Sequence, residues 1–249
     1  NSKIFYYFRI TFLSCVLVWL GCLIGGQLSV IHLINILELI FTLSNNFTTF
    51  LIEPVVFLIG IFTLLSLIIW GRALFCGWLC PFGALQELLS IFSKKIGIKQ
   101  LFLSTKIDKN FRYIKYFLLA IIIIGTILEF NITNYIYNIE PFKTAITLRF
   151  MAPVNLVLWA LFLLAINLLV ERAYCRYLCP LGGGLALLGQ IRLTNFLKRR
   201  KECGNPCKAC NKACPTGAIL NSGKINMSEC LGCLDCQVMY NDYSKCPPL

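Results

Sequence analysis

The sequence predicts an α-helical membrane protein, four spanning helices arranged as two related halves, with a small cysteine-rich domain following on the cytoplasmic side. Three observations carry that prediction. The chain is 58% hydrophobic with a mean hydropathy of +0.75, more apolar than a soluble domain of 249 residues. A paired-cysteine pattern occurs twice, once after the second apolar run and once after the fourth. Eight of the 14 cysteines crowd into the segment after Lys201.

The apolar runs come first. Stretches with almost no charge cover Ile10 to Val30, Pro54 to Trp70, Tyr113 to Phe130 and Val154 to Val170. At a helical rise of about 1.5 Å per residue each is roughly 25 to 30 Å long, which matches the hydrocarbon thickness of a bilayer. Lys3 and Arg9 precede the first run, a basic stretch from Arg72 to Arg112 follows the second, and the segment after Glu171 is again basic. The first outer connection has no Lys or Arg, and the second has only Lys143 and Arg149. The positive-inside rule therefore places both termini in the cytoplasm. The net charge of +12 is read as a belt against anionic lipid, with no nucleic-acid partner.

Twelve of the cysteines fall on that cytoplasmic side, where thiols stay reduced, so metal ligation is preferred to disulfides. Cys15 and Cys22, seven residues apart in the first run, are expected to be packing residues. The chain begins at Asn1, as a trimmed or processed product would. The first run is of full spanning length, so no cleavable signal peptide is expected.

The repeat defines the halves. Trp70-Gly-Arg-Ala-Leu-Phe-Cys76-Gly-Trp-Leu-Cys80-Pro81-Phe-Gly83 aligns with Val170-Glu-Arg-Ala-Tyr-Cys175-Arg-Tyr-Leu-Cys179-Pro180-Leu-Gly182, the first copy carrying one extra residue. Each copy runs into an apolar, helix-like segment, Ala84 to Phe92 and Gly184 to Ile191. The expected division is a first membrane half (1–92), a basic cytoplasmic loop (93–112), a second membrane half (113–197) and a tail (198–249). The tail is too short to hold a core without metal. Ile34, Leu37 and Phe41 suggest a surface or dipping helix within Ile31 to Ile52.

In the tail, Cys203-x3-Cys207-x2-Cys210-x3-Cys214-Pro215 is followed by Cys230-x2-Cys233-x2-Cys236-x9-Cys246-Pro247. In a bacterial two-cluster ferredoxin three close cysteines bind one cubane, and the fourth reaches across to the other. That rule assigns Cys203, Cys207, Cys210 and Cys246 to a first [4Fe-4S] cluster and Cys214, Cys230, Cys233 and Cys236 to a second. The Cys203 to Cys207 spacing is one residue longer than usual. Paired zinc knuckles are the competing reading, but the Cys-Pro ends and crossed pattern suit cubanes better.

The Cys-x3-Cys-Pro pairs leave alternatives open. If the halves pack about a pseudo-two-fold, Cys76, Cys80, Cys175 and Cys179 converge on one further cluster or metal site; a thiol relay and simple helix-end packing are the others. His32 is the only histidine, which excludes a bis-histidine haem and leaves it as an interfacial residue. Glu53-Pro54 and Glu140-Pro141 read as solvated helix starts, or as contacts to a quinone, flavin domain or partner.

Phe75-Cys-Gly-Trp-Leu-Cys-Pro-Phe-Gly-Ala-Leu-Gln-Glu-Leu-Leu89, Glu140-Pro-Phe-Lys-Thr-Ala-Ile146, Tyr174-Cys-Arg-Tyr-Leu-Cys-Pro-Leu-Gly182, Glu202-Cys-Gly-Asn-Pro-Cys207 and Cys230-Leu-Gly-Cys-Leu-Asp-Cys-Gln-Val-Met-Tyr240 resemble the membrane and polyferredoxin half of the NosR family, iron-sulfur flavoproteins of nitrous oxide respiration. NapH-type membrane ferredoxins are a more distant resemblance. The NosR resemblance implies electron transfer across the membrane toward a periplasmic reductase, nitrous oxide reductase in that family. It also implies FMN on an extracytoplasmic domain absent from these residues, or on a partner flavoprotein.

The expected function is therefore a membrane-bound electron-transfer protein of anaerobic respiration and denitrification. It links the two clusters to a quinone or an extracytoplasmic flavin. The alternative is a redox-sensing regulatory or maturation factor for a periplasmic copper or other respiratory enzyme. No general base, nucleophile pair or phosphate loop marks a bond-making active site.

Overall fold

The computed structural model describes residues 2–25, 28–30, 54–101, 105–128, 140–200, 202–204, 207–242, 244 and 246. Helix α1 (Ser2–Cys15) continues as a π-helical segment, Val16–Ile24, and Gly25 ends it in the left-handed conformation. The first apolar run, Ile10 to Val30, is therefore interrupted at Gly25. Helix α2 (Pro54–Trp70) leads to a π-turn, Phe75–Leu79, and then to α3 (Pro81–Ile96). Helix α4 (Thr105–Ile127), a π-turn at Lys143–Thr147 and α5 (Val154–Leu169) follow. A matching π-turn, Tyr174–Leu178, leads to α6 (Pro180–Leu188) and a short 3-10 turn. The tail holds α7 (Ala209–Ala213) and α8 (Asp235–Tyr240). Extended pairing among the described residues is limited to two isolated bridges, Cys203 with Cys207 and Ile219 with Ile225.

Two described helical segments are long and apolar enough to cross a membrane, Lys3–Ile24 and Lys106–Ile127. Phe57–Trp70, Val154–Leu169 and Pro180–Ile191 are apolar but shorter. Their outer faces carry exposed Leu58, Leu65, Ile68, Leu158, Leu161 and Phe162. Apolar surface on that scale suits lipid rather than water. The polar groups of α2 are satisfied within the helix: Thr63 Oγ1 donates to Ile59 O at 2.7 Å and Ser66 Oγ to Thr63 O at 2.9 Å.

The basic loop expected over 93–112 is largely helical. Lys94 and Lys95 sit in the last turn of α3 and Asp108 in the first turn of α4, each complementing its helix dipole. Lys94 pairs with Glu171 at 2.5 Å.

Helix α3 runs antiparallel to α1. Glu87 meets Arg9 near the start of α1, whereas Pro81 packs on Gly21 near its far end. Ile146, in the Lys143–Thr147 turn, packs on the same Gly21. The N-terminus of α3 thus points inward, away from the tail. Its other side lies on α5, where buried Asn167 donates Nδ2–H to Gln86 O at 2.6 Å and Ser93 Oγ donates to Leu168 O at 2.7 Å.

Two apolar clusters form the core. Val30, Leu67, Phe75, Ile122, Leu181 and Leu185 make one; Phe82, Ala145, Ile146, Leu163, Tyr174 and Cys175 make the other. Cys80 and Cys179 pack against both. Cys15 does not pack there: it is exposed, because the switch to π-helical winding after it breaks the single face that its spacing to Cys22 implied. His32, Glu53 and the Ile31 to Ile52 helix lie outside the described residues.

Candidate metal centres

The duplicated motif folds the same way twice. In each copy the second cysteine closes a π-turn, Cys80 N–H on Phe75 O and Cys179 N–H on Tyr174 O, both at 2.9 Å. The next residue is proline at the first helical position, where no backbone donor is needed. Each second cysteine is then the N-cap, its sulfur accepting from Gly83 N–H at 3.4 Å or Gly182 N–H at 3.3 Å. Two helix N-termini, with their positive dipole ends, therefore face the same thiol group.

The two halves exchange contacts. Arg172 Nη1 donates to Cys76 O at 2.8 Å, and Arg72 Nη1 donates to Gly182 O at 3.0 Å. Gln86 Nε2 donates to Cys175 Sγ at 3.1 Å, while its Oε1 is buried without a partner. Cys76, Cys80, Cys175 and Cys179 are thus brought into one buried neighbourhood. Burial pushes the Cys76 thiol up to about 11 against the opposing pull of Arg72. A bare thiolate is costly there, and bound cationic charge would be needed to hold one.

In the tail, Cys203, Cys207, Cys210 and Cys246 wall one small cavity of about 20 Å³, together with Arg199. Cys214, Cys230, Cys233 and Cys236 wall a neighbouring one, also of about 20 Å³, which Cys210 also touches. The two are nearly equal in size and divide the eight cysteines in the crossed pattern. No three His, Cys, Asp or Glu among the described residues converge as a single metal ion would require. A zinc ion needs four sulfurs about 2.3 Å from one point. Thiols spread around a box suit a multi-atom cluster instead, so the donor sets fit cubanes better than zinc. Burial pushes the Cys230 thiol up to about 11, and Cys210 and Cys236 upward as well.

The second cavity is the one docked on the membrane helices. Trp78 Nε1 donates to Gly232 O at 2.9 Å, and Arg9 Nη1 to Cys233 O at 3.1 Å. Arg112 Nη2 donates to Thr216 O at 2.7 Å and Arg176 Nη1 to Pro215 O at 3.3 Å, gripping the loop after Cys214. The fit depends on two glycines. A Cβ at Gly77 would lie 1.9 Å from Leu231 O, and one at Gly232, whose φ is +60°, would lie 2.9 Å from Ala73 Cβ. The loop joining Cys230 to Cys233 therefore lies directly on the turn that carries Cys76.

Two buried ionic clusters hold this seam. Glu87 accepts from Arg9 Nε at 2.5 Å and from Arg172. Burial alone would raise Glu87, but Arg172 and Arg9 outweigh it and hold the carboxyl at about 2. Glu229, from the tail, accepts from fully buried Lys115 at 2.7 Å and lies 3.7 Å from Arg72 Nη2. Composition and spacing did not mark Arg9, Glu87, Lys115 or Glu229. The available signal was their position inside or beside apolar helices, where an ionisable residue needs a partner.

Glu140 departs from the solvated helix start read for it. It is 5% exposed and accepts from Ser29 Oγ at 2.7 Å and Val30 N–H at 3.2 Å, so its carboxylate caps a neighbouring segment instead.

Helices fit for a membrane, joined to a tail whose cysteines wall paired cavities, define a class: a membrane protein with iron-sulfur binding domains. A family model described as a 4Fe-4S binding domain matches residues 52–99 and again 151–201, once in each half. A model described as NosR matches residues 201–249. The chain belongs to the NosR/NirI family. It is 45% identical over 240 residues to the "Regulatory protein NosR" of Stutzerimonas stutzeri, covering 96% of this chain and 33% of that protein. It is 43% identical over 241 residues to the "Protein NirI" of Paracoccus denitrificans, covering 97% and 35%. The "Ferredoxin-type protein NapH" of Escherichia coli is 26% identical over 175 residues, covering 67% and 58%. The chain spans about a third of the length of these NosR and NirI relatives. No solved structure matches it.

Proposed function

We propose that this chain is the membrane electron-transfer segment of a denitrification protein. It passes electrons between two [4Fe-4S] clusters in its tail and a quinone or an extracytoplasmic flavin, in support of a periplasmic reductase such as nitrous oxide reductase. The observation that carries the reading is the pair of adjacent four-cysteine cavities, one of them seated on the Cys-x3-Cys-Pro turn. Cys203, Cys207, Cys210 and Cys246 would hold the first cluster, and Cys214, Cys230, Cys233 and Cys236 the second. Each cluster, when bound, accepts and releases one electron at a potential set by its surroundings.

The chain's own residues supply position and insulation. Trp78, Arg9, Arg112 and Arg176 hold the second cavity against the membrane helices. Leu231 and Ala218 are buried and keep water from its wall. Cys207 lies exposed beside the first cavity, which makes that end the port for a cytoplasmic redox partner. Cys76, Cys80, Cys175 and Cys179 form the next stop inward, a further cluster or metal site between two helix N-termini. Four spans, in two halves at 1–92 and 113–197 joined by 93–112, with the 198–249 tail and both termini in the cytoplasm, complete the arrangement.

Iron and acid-labile sulfide in anaerobically purified protein test this. About eight irons per chain supports two cubanes and about twelve adds the inner site. Zinc in place of iron rejects the assignment. A second reading, a redox-sensing regulatory or maturation role, is favoured by the name "Regulatory protein NosR" borne by relatives. Normal reductase turnover in a Cys233→Ala strain, with failed maturation or expression of the enzyme, selects that reading. Loss of electron delivery to mature enzyme selects the conduit.

A further inference from the structure

Lys198, Arg199, Arg200 and Lys201 form one basic run in the sequence. The structure gives Arg199 and Arg200 different surroundings. Arg199 turns into the wall of the first four-cysteine cavity, against Cys210 and Cys203, with Cys236 in its field. Its Nε and Nη2 are fully buried and find no oxygen or nitrogen acceptor, the thiols of Cys210 and Cys203 being the groups its guanidinium faces. No carboxylate among the described residues pairs with it, in contrast to Arg9, Arg112 and Arg176, each of which meets Glu87 or Asp108 beside the second cavity. Arg200 differs too: it donates to Cys246 O at 3.0 Å and lies over the Tyr240 ring.

Burying a guanidinium with two unmatched donors is costly unless anionic charge faces it. Cysteine thiolates around a cluster are such charge. We propose that Arg199 is a potential-setting residue of the first cluster: its unpaired guanidinium holds the more negative, reduced state and raises that cluster's midpoint potential. This rests on the two-cluster reading of the tail. Reduction adds one electron from an external donor to a group that is already anionic, and no bond forms or breaks. A fixed positive charge therefore favours the reduced form, the more so where water is excluded. Beside the second cavity Arg9 and Arg72 also act on the thiols of Cys233 and Cys230, but each of these arginines is paired with a carboxylate, so removing Arg199 should act mainly on the first cluster.

The test is an EPR-monitored redox titration of the anaerobically purified full chain with dithionite. A Cys246→Ser variant assigns the first cluster's signal. In Arg199→Gln, with iron content unchanged, the reduction equilibrium of the first cluster should shift at least about tenfold toward the oxidised form. That corresponds to about 59 mV for one electron. The second cluster should stay within a small fraction of that shift. Arg199→Lys should recover most of the potential. Arg199→His supplies a readout that a purely structural role would not move: its midpoint should fall as pH rises through the imidazole range near about 6.5, where the wild type stays flat.

If Arg199→Gln fails to load the first cluster, the pH dependence of Arg199→His decides. Loaded protein with unmoved potentials in Arg199→Gln, equal shifts in both clusters, or a pH-flat Arg199→His overturns the proposal. Wild-type protein without iron would instead sink the cluster reading on which it stands.

Discussion

Replacing Gly77 by alanine should release the tail from the membrane helices while leaving its eight cysteines intact. The added Cβ would sit 1.9 Å from Leu231 O and 3.0 Å from Leu231 C, against an ordinary contact at 3.4 Å or beyond. Both neighbours are backbone, so no side-chain rotation relieves the overlap, and the Cys230 to Cys233 loop must retreat by about 1.5 Å. Such overpacking costs about 1–3 kcal/mol. The same retreat strains the Trp78 to Gly232 bond of 2.9 Å and the Arg9 to Cys233 bond of 3.1 Å. Those contribute about 1 kcal/mol and about 1.5–3 kcal/mol, the latter because its donor is charged. With both bonds lost, a docking penalty of about 3.5–7 kcal/mol follows, a factor of several hundred or more in the docked population. Hydrogen exchange is the assay: amides from Cys230 to Asp235 and around Trp78 should lose protection in Gly77→Ala at unchanged iron content. Gly60→Ala, where the nearest neighbour would be an ordinary 3.9 Å from the new Cβ, is the control. Wild-type protection at the Cys230 loop in Gly77→Ala would refute the close-approach argument.

Other outcomes follow from the ionic clusters and the tail. Glu87→Gln leaves buried Arg9 and Arg172 without their carboxylate and should cost about 3–5 kcal/mol, read as a lower unfolding midpoint in detergent. Because the Glu87 carboxyl is held at about 2 against 4.5 when unperturbed, its contribution of about 3 kcal/mol is present above pH 4.5. It should be lost as pH falls toward 2, and Glu87→Gln should flatten that part of the stability profile; an unchanged slope argues against the pair. Glu229→Gln should destabilise by a similar amount, since Lys115 is fully buried beneath it; a variant as stable as wild type would mean Lys115 finds another anion. Stripping iron with a chelator under oxidation should unfold the tail selectively, because its buried apolar residues are few, Ala218, Ile219 and Leu231 among them. Tail amides that keep their exchange protection without iron would contradict a metal-held fold.

Much of this protein was legible from periodic composition. Apolar runs, the repeated Cys-x3-Cys-Pro turn and the cysteine spacings are local features; the first and third runs appear as helices long and apolar enough to cross a membrane, and the repeat folds the same way twice. The resemblance to NosR proteins rested on the same residues and agrees with the family membership. The misreadings have physical causes. Cys15 and Cys22 were placed on one face by α-helical arithmetic that a π-helical segment does not obey. Glu140 was taken as solvated because a charge beside proline usually is, yet a hydroxyl and a backbone N–H from another segment satisfy it. Arg199 disappeared into a basic run because composition cannot say which of four neighbouring cations turns inward.

Chain order and spacing were enough to mark the repeated Cys-x3-Cys-Pro motif and the iron-sulfur kinship, and to propose two sets of four thiols in the tail, because each depends on short-range pattern. Which set meets the membrane helices is another matter. It depends on Gly77 admitting the Leu231 carbonyl, and on Arg9, 78 residues from Glu87, closing a buried ion pair. Contacts between residues that far apart are selected by three-dimensional packing and by the cost of an unmatched buried charge, neither of which has a period that a linear reading can detect.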